Sequence, residues 1–129
     1  MGAARVILLD TNYLIGALVA GSREAKRVSA WLRSEEDLCT SAVSWFEFSC
    51  GPVDAEGVDL VSALLRGRVL PFTGEHASEA SRLWNATGRP RRLRVDAMIA
   101  GAAVAAGARL ATANLGDFEP FERFGLRLV

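Results

Sequence analysis

Basic side chains other than arginine are almost missing from this chain: Lys26 is its only lysine and His76 its only histidine. Cysteine is nearly as scarce. Cys39 and Cys50 have no Cys-x-x-Cys spacing and no histidine beside them, which excludes a zinc site and leaves two small buried thiols in a reducing compartment. No apolar run approaches the ~20 residues of a membrane span, and the first residues carry no signal-peptide pattern. A soluble, cytoplasmic protein without membrane contact is expected. Linkers, low-complexity stretches and internal repeats are absent too, so one domain over residues 1–129 is expected. Net charge is also lacking, because fifteen basic and fifteen acidic residues cancel. The field of the whole molecule therefore does not point to nucleic acid or membrane, although an acidic cleft beside a basic rim would sum to the same zero. The arginine excess suits planar, bidentate contacts to phosphate or carboxylate, or reflects genomic composition.

What is present is apolar and periodic. Half of the residues are hydrophobic and mean hydropathy is +0.19, which fits a globular α/β protein and argues against disorder. Val6-Ile7-Leu8-Leu9 is too short and too β-rich for a helix and reads as a buried strand. Thr11-Asn12 offers a cap for a helix carrying Leu14, Ile15, Leu18 and Val19. Glu24 to Leu32 reads as an amphipathic helix with Ala25, Val28 and Leu32 on one face. Asp37 to Ser41 is a second strand, and Ser44 is the expected cap of a helix through Trp45, Phe46 and Phe48. Asp54 to Arg66 is a helix with Val58, Val61, Leu64 and Leu65 inward. Val69 to Phe72 is a third strand, placed near an edge by Pro71. Thr73 caps a helix from Gly74 to Ala86 with Ala77, Ala80, Leu83 and Trp84 inward.

Thr87 to Arg94 is a basic loop. Asp96 to Ala106 is a helix of small residues closed by Gly107. Arg109 to Thr112 is a fourth strand, Leu115 to Phe124 a short helical or irregular segment, and Leu126 to Val129 a last strand. Strands alternating with helices predict a mainly parallel central sheet with helices on both faces, a three-layer α/β fold.

Against this background four acids stand out at the seams of apolar segments: Asp10, Glu47, Asp96 and Asp117. Ligands of an open parallel sheet bind beyond the carboxyl ends of its strands. The topology puts all four acids at that end. Two carboxylates ~5 Å apart repel by about 3 kcal/mol at an effective dielectric near 20, so several such pairs call for a cation. Oxygen donors without Cys or His suit Mg²⁺ or Mn²⁺. Each acid also has a plainer use: Asp10 and Asp96 as helix caps, Glu47 as a carboxylate reaching out from a greasy helix, Asp117 as a surface acid.

The blocks around these acids resemble a known family. Val6-Ile7-Leu8-Leu9-Asp10-Thr11-Asn12 resembles the opening of PIN-domain ribonucleases, and Ser41-Ala42-Val43-Ser44-Trp45-Phe46-Glu47-Phe48 their glutamate segment. Asp96-Ala97-Met98-Ile99-Ala100, then Gly107 through Phe118, resemble their third and fourth acid blocks. The short form is most similar to VapC-type toxins of bacterial type II toxin–antitoxin pairs. The resemblance implies a PIN-like fold and a Mg²⁺- or Mn²⁺-dependent endoribonuclease in which a metal-activated water attacks phosphorus in line. It makes Asp10 and Asp96 the principal metal ligands, with Glu47 and Asp117 completing the cluster directly or through water. Thr11, Asn12, Thr112 and Asn114 would form the polar shell. It also implies an RNA substrate, a cognate antitoxin held through a helix in an apolar groove, and a homodimer. Cys50 and Ala113 depart from the long side chains common at their positions, which touches substrate contacts and not the metal centre.

The loop holding Arg89, Arg91, Arg92 and Arg94 precedes Asp96 and reads as an RNA-binding phosphate rim, a docking site for an acidic antitoxin tail, or a solvated loop. Side chains around Trp31, Trp45 and Phe48 are candidates for partner contact, with core packing as the plainer reading. Two other families that begin with an aspartate after an apolar strand fit poorly. A haloacid dehalogenase-type phosphatase needs a second acid where Asn12 stands and a late lysine, and a receiver domain needs an acid pair and a late lysine. The remaining alternatives are a non-toxin PIN-domain nuclease of RNA processing and a PIN-fold binding module with an idle metal site.

Overall fold

The computed structural model describes residues 5–129, so the first four positions of the expected domain lie outside the described residues. Its centre is a four-stranded parallel sheet ordered β3-β2-β1-β4, built from β1 (Val6–Leu9), β2 (Asp37–Ser41), β3 (Val69–Leu70) and β4 (Arg109–Ala111). The helices are α1 (Thr11–Gly16), α2 (Arg23–Arg33), α3 (Ala42–Ser49), α4 (Ala55–Leu64), α5 (Gly74–Ala86), α6 (Arg94–Ala105) and α7 (Leu115–Phe118). The expected α/β layering with a mainly parallel sheet is what forms.

Alternation along the strands explains the two cores. Leu8, Cys39 and Leu110 point to one face, where Leu83 of α5, Ala97 and Ala100 of α6, Phe118 and Phe121 bury them. Ile7, Leu9, Leu38 and Ala111 point to the other, against Tyr13, Leu14, Val28, Phe48 and Val61. On the first face α5 and α6 approach until a Cβ at Gly101 would stand 2.6 Å from the Ala80 Cα and nearer still to its amide, so only glycine fits there. The predicted closure of α6 is also found: Gly107 takes φ +66°, the left-handed conformation that glycine adopts without strain.

Several local expectations are corrected. Helix α1 ends at Gly16, which leaves Leu18 and Val19 exposed in the following turn. Ser41, not Ser44, caps α3: its Oγ accepts from the Ser44 amide, and Ser44 is buried inside the helix. In α2 only Val28 is buried, and Leu32 is exposed. Ala77 of α5 is exposed and Trp84 is half-buried, while His76 is buried in their place. Helix α6 begins at Arg94, so Asp96 lies in its first turn and is not its cap. Leu126 to Val129 makes only an isolated bridge from Leu128 to Leu110, because β4 is three residues long and offers a partner little edge. Cys39 is buried as expected but Cys50 is exposed.

Candidate active site

The carboxyl ends of β1 and β4 create the site. The Asp10 amide donates to the Ala111 carbonyl at 2.9 Å, which carries the strand pairing one residue past β1. The chain then turns into α1, and Asp10 is its N-cap, with Oδ1 accepting from the Thr11 amide at 2.8 Å. The cap does not exhaust this carboxylate. Oδ2 accepts from Thr112 Oγ1 at 2.8 Å and from Asn12 Nδ2 at 3.3 Å. Asn12 is fixed in turn by the Ala113 amide, which donates to its Oδ1 at 3.0 Å, and the Asn114 amide donates to Thr112 Oγ1 at 3.0 Å. All four residues of the expected polar shell thus bond at the β1–β4 junction, Asn114 through its backbone.

Glu47 is carried in by α3. Its Oε1 accepts from Thr11 Oγ1 at 2.8 Å, so one threonine ties the second carboxylate to the helix that Asp10 caps. Asp96, half-buried in the first turn of α6, completes an open cleft of about 300 Å³ lined by Asp10, Thr11, Asn12, Ile15, Glu47, Asp96 and Asn114. Asp117, in α7, is not part of that lining. It accepts from Arg92 Nη1 at 3.0 Å at the outer rim.

The electrostatics match a cleft short of positive charge. Burial raises the pKa of Asp10 above the usual aspartate value and nearby Glu47 adds to this, while hydrogen bonds from Thr112, Thr11 and Asn12 oppose it. Asp96 is pushed up to about 6, first by burial and then by repulsion from Asp10, Asp117 and Glu47, with Arg92 pulling the other way. Two oxygen donors held with raised proton affinity at one cleft suit a hard divalent cation, which would replace the proton. Among the described residues no group of three or more His, Cys, Asp or Glu side chains is placed to hold one ion together.

The arginines separate. Only Arg92 reaches an acid of the site. Arg89, at φ +56°, donates through Nε to Asn85 Oδ1 at 2.8 Å, and the Arg94 guanidinium sits 5.4 Å from the centre of the Trp84 ring. Arg91 is exposed. The aromatic candidates separate too: Phe48 is fully buried, and Trp31 is half-buried and stacked on Tyr13. The exposed large apolar side chains among the described residues are instead Ile15, Leu18, Val19, Leu32, Phe46, Leu60, Val95 and Leu115. An apolar cavity of about 150 Å³, lined by Ile15, Leu18, Val19, Phe48, Pro52 and Val53, adjoins the acidic cleft and shares Ile15 with it. Sequence reasoning missed Ile15 as a cleft residue, because its apolar spacing in α1 reads as core.

Comparison with known proteins agrees with this fold. The PIN domain family matches residues 7–122. No curated protein sequence matches the chain. Among solved structures, the chain is similar to one in the crystal structure of FitAcB from Neisseria gonorrhoeae, at 25% identity and TM-score 0.70, covering 95% of each chain. It is also similar to a chain of a toxin-antitoxin complex from Klebsiella pneumoniae, at 25% identity and TM-score 0.66, covering 87% of this chain and 89% of that one. A chain of DNA-bound VapBC from Salmonella typhimurium shares the fold at 21% identity and TM-score 0.70, over 95% of this chain and 96% of that one.

Proposed function

The chain belongs to the PIN domain family, and from that premise we propose that it is a divalent-metal-dependent endoribonuclease, the toxin of a toxin–antitoxin pair. PIN domains are generally nucleases that use divalent metals. The observation that carries the reading is the convergence of Asp10, Glu47 and Asp96 on one open cleft with Asp10 and Asp96 both raised in pKa. Such carboxylates are held at a cost unless a cation joins them.

Asp10 and Asp96 would hold Mg²⁺ or Mn²⁺, which when bound activates water and offsets charge on a phosphodiester. The protein's own groups do the rest. Thr112 and Asn12 keep the Asp10 carboxylate in one orientation, and Thr11 holds Glu47 at the cleft wall, where it orients an incoming water. Asp117, expected to complete the acidic cluster, stands outside the cleft lining and pairs with Arg92. Of the four arginines expected to face RNA, Arg91 is exposed and Arg92 stands beside the acids, while Arg89 and Arg94 are engaged by Asn85 and Trp84 and would only flank the basic border.

The toxin role is supported by the toxin-antitoxin complex from Klebsiella pneumoniae among the similar structures. The apolar cavity beside the cleft suits an antitoxin helix, and Ile15, shared by both, would let that helix cover the site. Homodimerisation and a cytoplasmic location belong to the same reading. No helix among the described residues is long and apolar enough to cross a membrane.

The test is RNA cleavage by the pure protein with Mg²⁺ or Mn²⁺, compared with Asp10→Asn and Asp96→Asn. Each variant is expected to lose activity by about 100-fold or more. Activity without metal, or full activity in both variants, would overturn the mechanism.

A further inference from the structure

Arg92 is the only cation within ion-pair distance of the four acids among the described residues. Its place is set by a short 3₁₀ turn, Arg91–Leu93, that runs straight into α6 and is pinned by the buried Leu93. Arg92 therefore precedes Asp96 by four residues, and its charge reaches that carboxylate. The Arg92 side chain is 71% exposed yet held at one point, through Nη1, by an oxygen of Asp117. An arginine has five N–H donors, so a single-point contact leaves the others free. An exposed pair of this kind is weak and exchanges its acceptor readily.

A cleft lined by Asp10, Glu47 and Asp96 repels an RNA phosphate until positive charge meets it. Of the neighbouring arginines, Arg89 is turned to Asn85 and Arg94 to Trp84, and Arg91 is exposed without an acid in ion-pair distance among the described residues. Resting on the ribonuclease reading, we propose that Arg92 grips a non-bridging oxygen of the substrate phosphate at the cleft mouth, and that Asp117 is its tether and not a ligand of the ion. Asp117 is then a positioning residue acting through Arg92, which accounts for its place outside the cleft wall. The guanidinium fork matches two phosphate oxygens, which a lysine's point charge does not.

The full chain is assayed on mixed-sequence single-stranded RNA with Mn²⁺, and Mn²⁺ binding is read without RNA by electron paramagnetic resonance. Arg92→Ala is expected to raise KM about tenfold, the scale of a lost charged hydrogen bond, with kcat far less affected. Arg92→Lys recovers only part of this. Asp117→Asn raises KM about threefold, and the double variant is no worse than Arg92→Ala, because both act through one contact. Without RNA, Arg92→Ala and Asp117→Asn keep Mn²⁺ affinity within about twofold, while Asp96→Asn loses about tenfold or more. Loss of Mn²⁺ affinity in Asp117→Asn to the extent of Asp96→Asn, or a wild-type KM in Arg92→Ala, overturns the proposal while leaving the ribonuclease reading intact. A wild-type protein that cuts no RNA overturns both.

Discussion

The two ends of the sheet treat their acids in opposite ways. At the amino end of the strands, Glu36 accepts from Arg109 at 2.9 Å and from Arg5 at 3.1 Å, and Asp37 pairs with Arg68 at 3.2 Å. At the carboxyl end, Asp10 and Glu47 meet hydroxyls and amides, Asp96 has no cation paired with it among the described residues, and Arg92 is engaged by Asp117. One rim is neutralised within the protein; the other is left for something outside it. Residues that stabilise a fold and residues that wait for a ligand are thus told apart by their partners and not by their type.

That contrast can be broken from either end. The largest effect expected is metal stabilisation: Mg²⁺ or Mn²⁺ at about 100 times its dissociation constant should raise unfolding free energy by about 2.7 kcal/mol, and a chelator should reverse it. A thermal melt with no metal-dependent shift would count against the cleft as a cation site. Next, Glu36→Ala should cost about 2 kcal/mol in urea unfolding, because it leaves the part-buried Arg109 guanidinium without its carboxylate, and metal should not restore it.

Asp96→Asn should act in the other direction. Its folded-state pKa of about 6 lies above the ordinary value of 3.8, so between these the folded protein binds more protons than the unfolded one. Stability from this group therefore falls as pH rises from about 4 to 6, in the absence of metal. The variant should flatten that decline and leave the metal-free protein about 1 kcal/mol more stable at pH 7, after allowance for solvent screening. Metal-free stability that rises across this window in wild type, and equally in the variant, would sink the assignment. The smallest effect belongs to Asp37→Ala, where both partners are exposed: about 0.5 kcal/mol or less in the same unfolding assay.

Much of the fold was legible because its signals are local. Val6-Ile7-Leu8-Leu9 has no better place than a buried strand, and Thr73 with the spacing after it marks α5. Helix faces were less legible. Leu32 and Ala77 have the right spacing but look out to solvent, because the sheet is narrow and covers only part of each helix. Leu126 to Val129 has strand-like residues but not enough neighbouring edge to pair along. Phe48 reads as a core residue first and a partner contact second, and packing of α3 against the sheet buries it.

From the sequence alone came the order of four acids on successive elements, an oxygen-only donor set, and an arginine-rich stretch just ahead of Asp96. Tertiary structure decided how these divide. It put Asp10, Glu47 and Asp96 around one cleft and sent Asp117 to Arg92. The reason is range: the Thr112–Asp10 bond joins residues 102 apart, Thr11–Glu47 joins residues 36 apart, and Arg92–Asp117 joins residues 25 apart. Local periodicity specifies which face of an element is buried, but which two elements meet is settled only when the sheet assembles and brings their ends together.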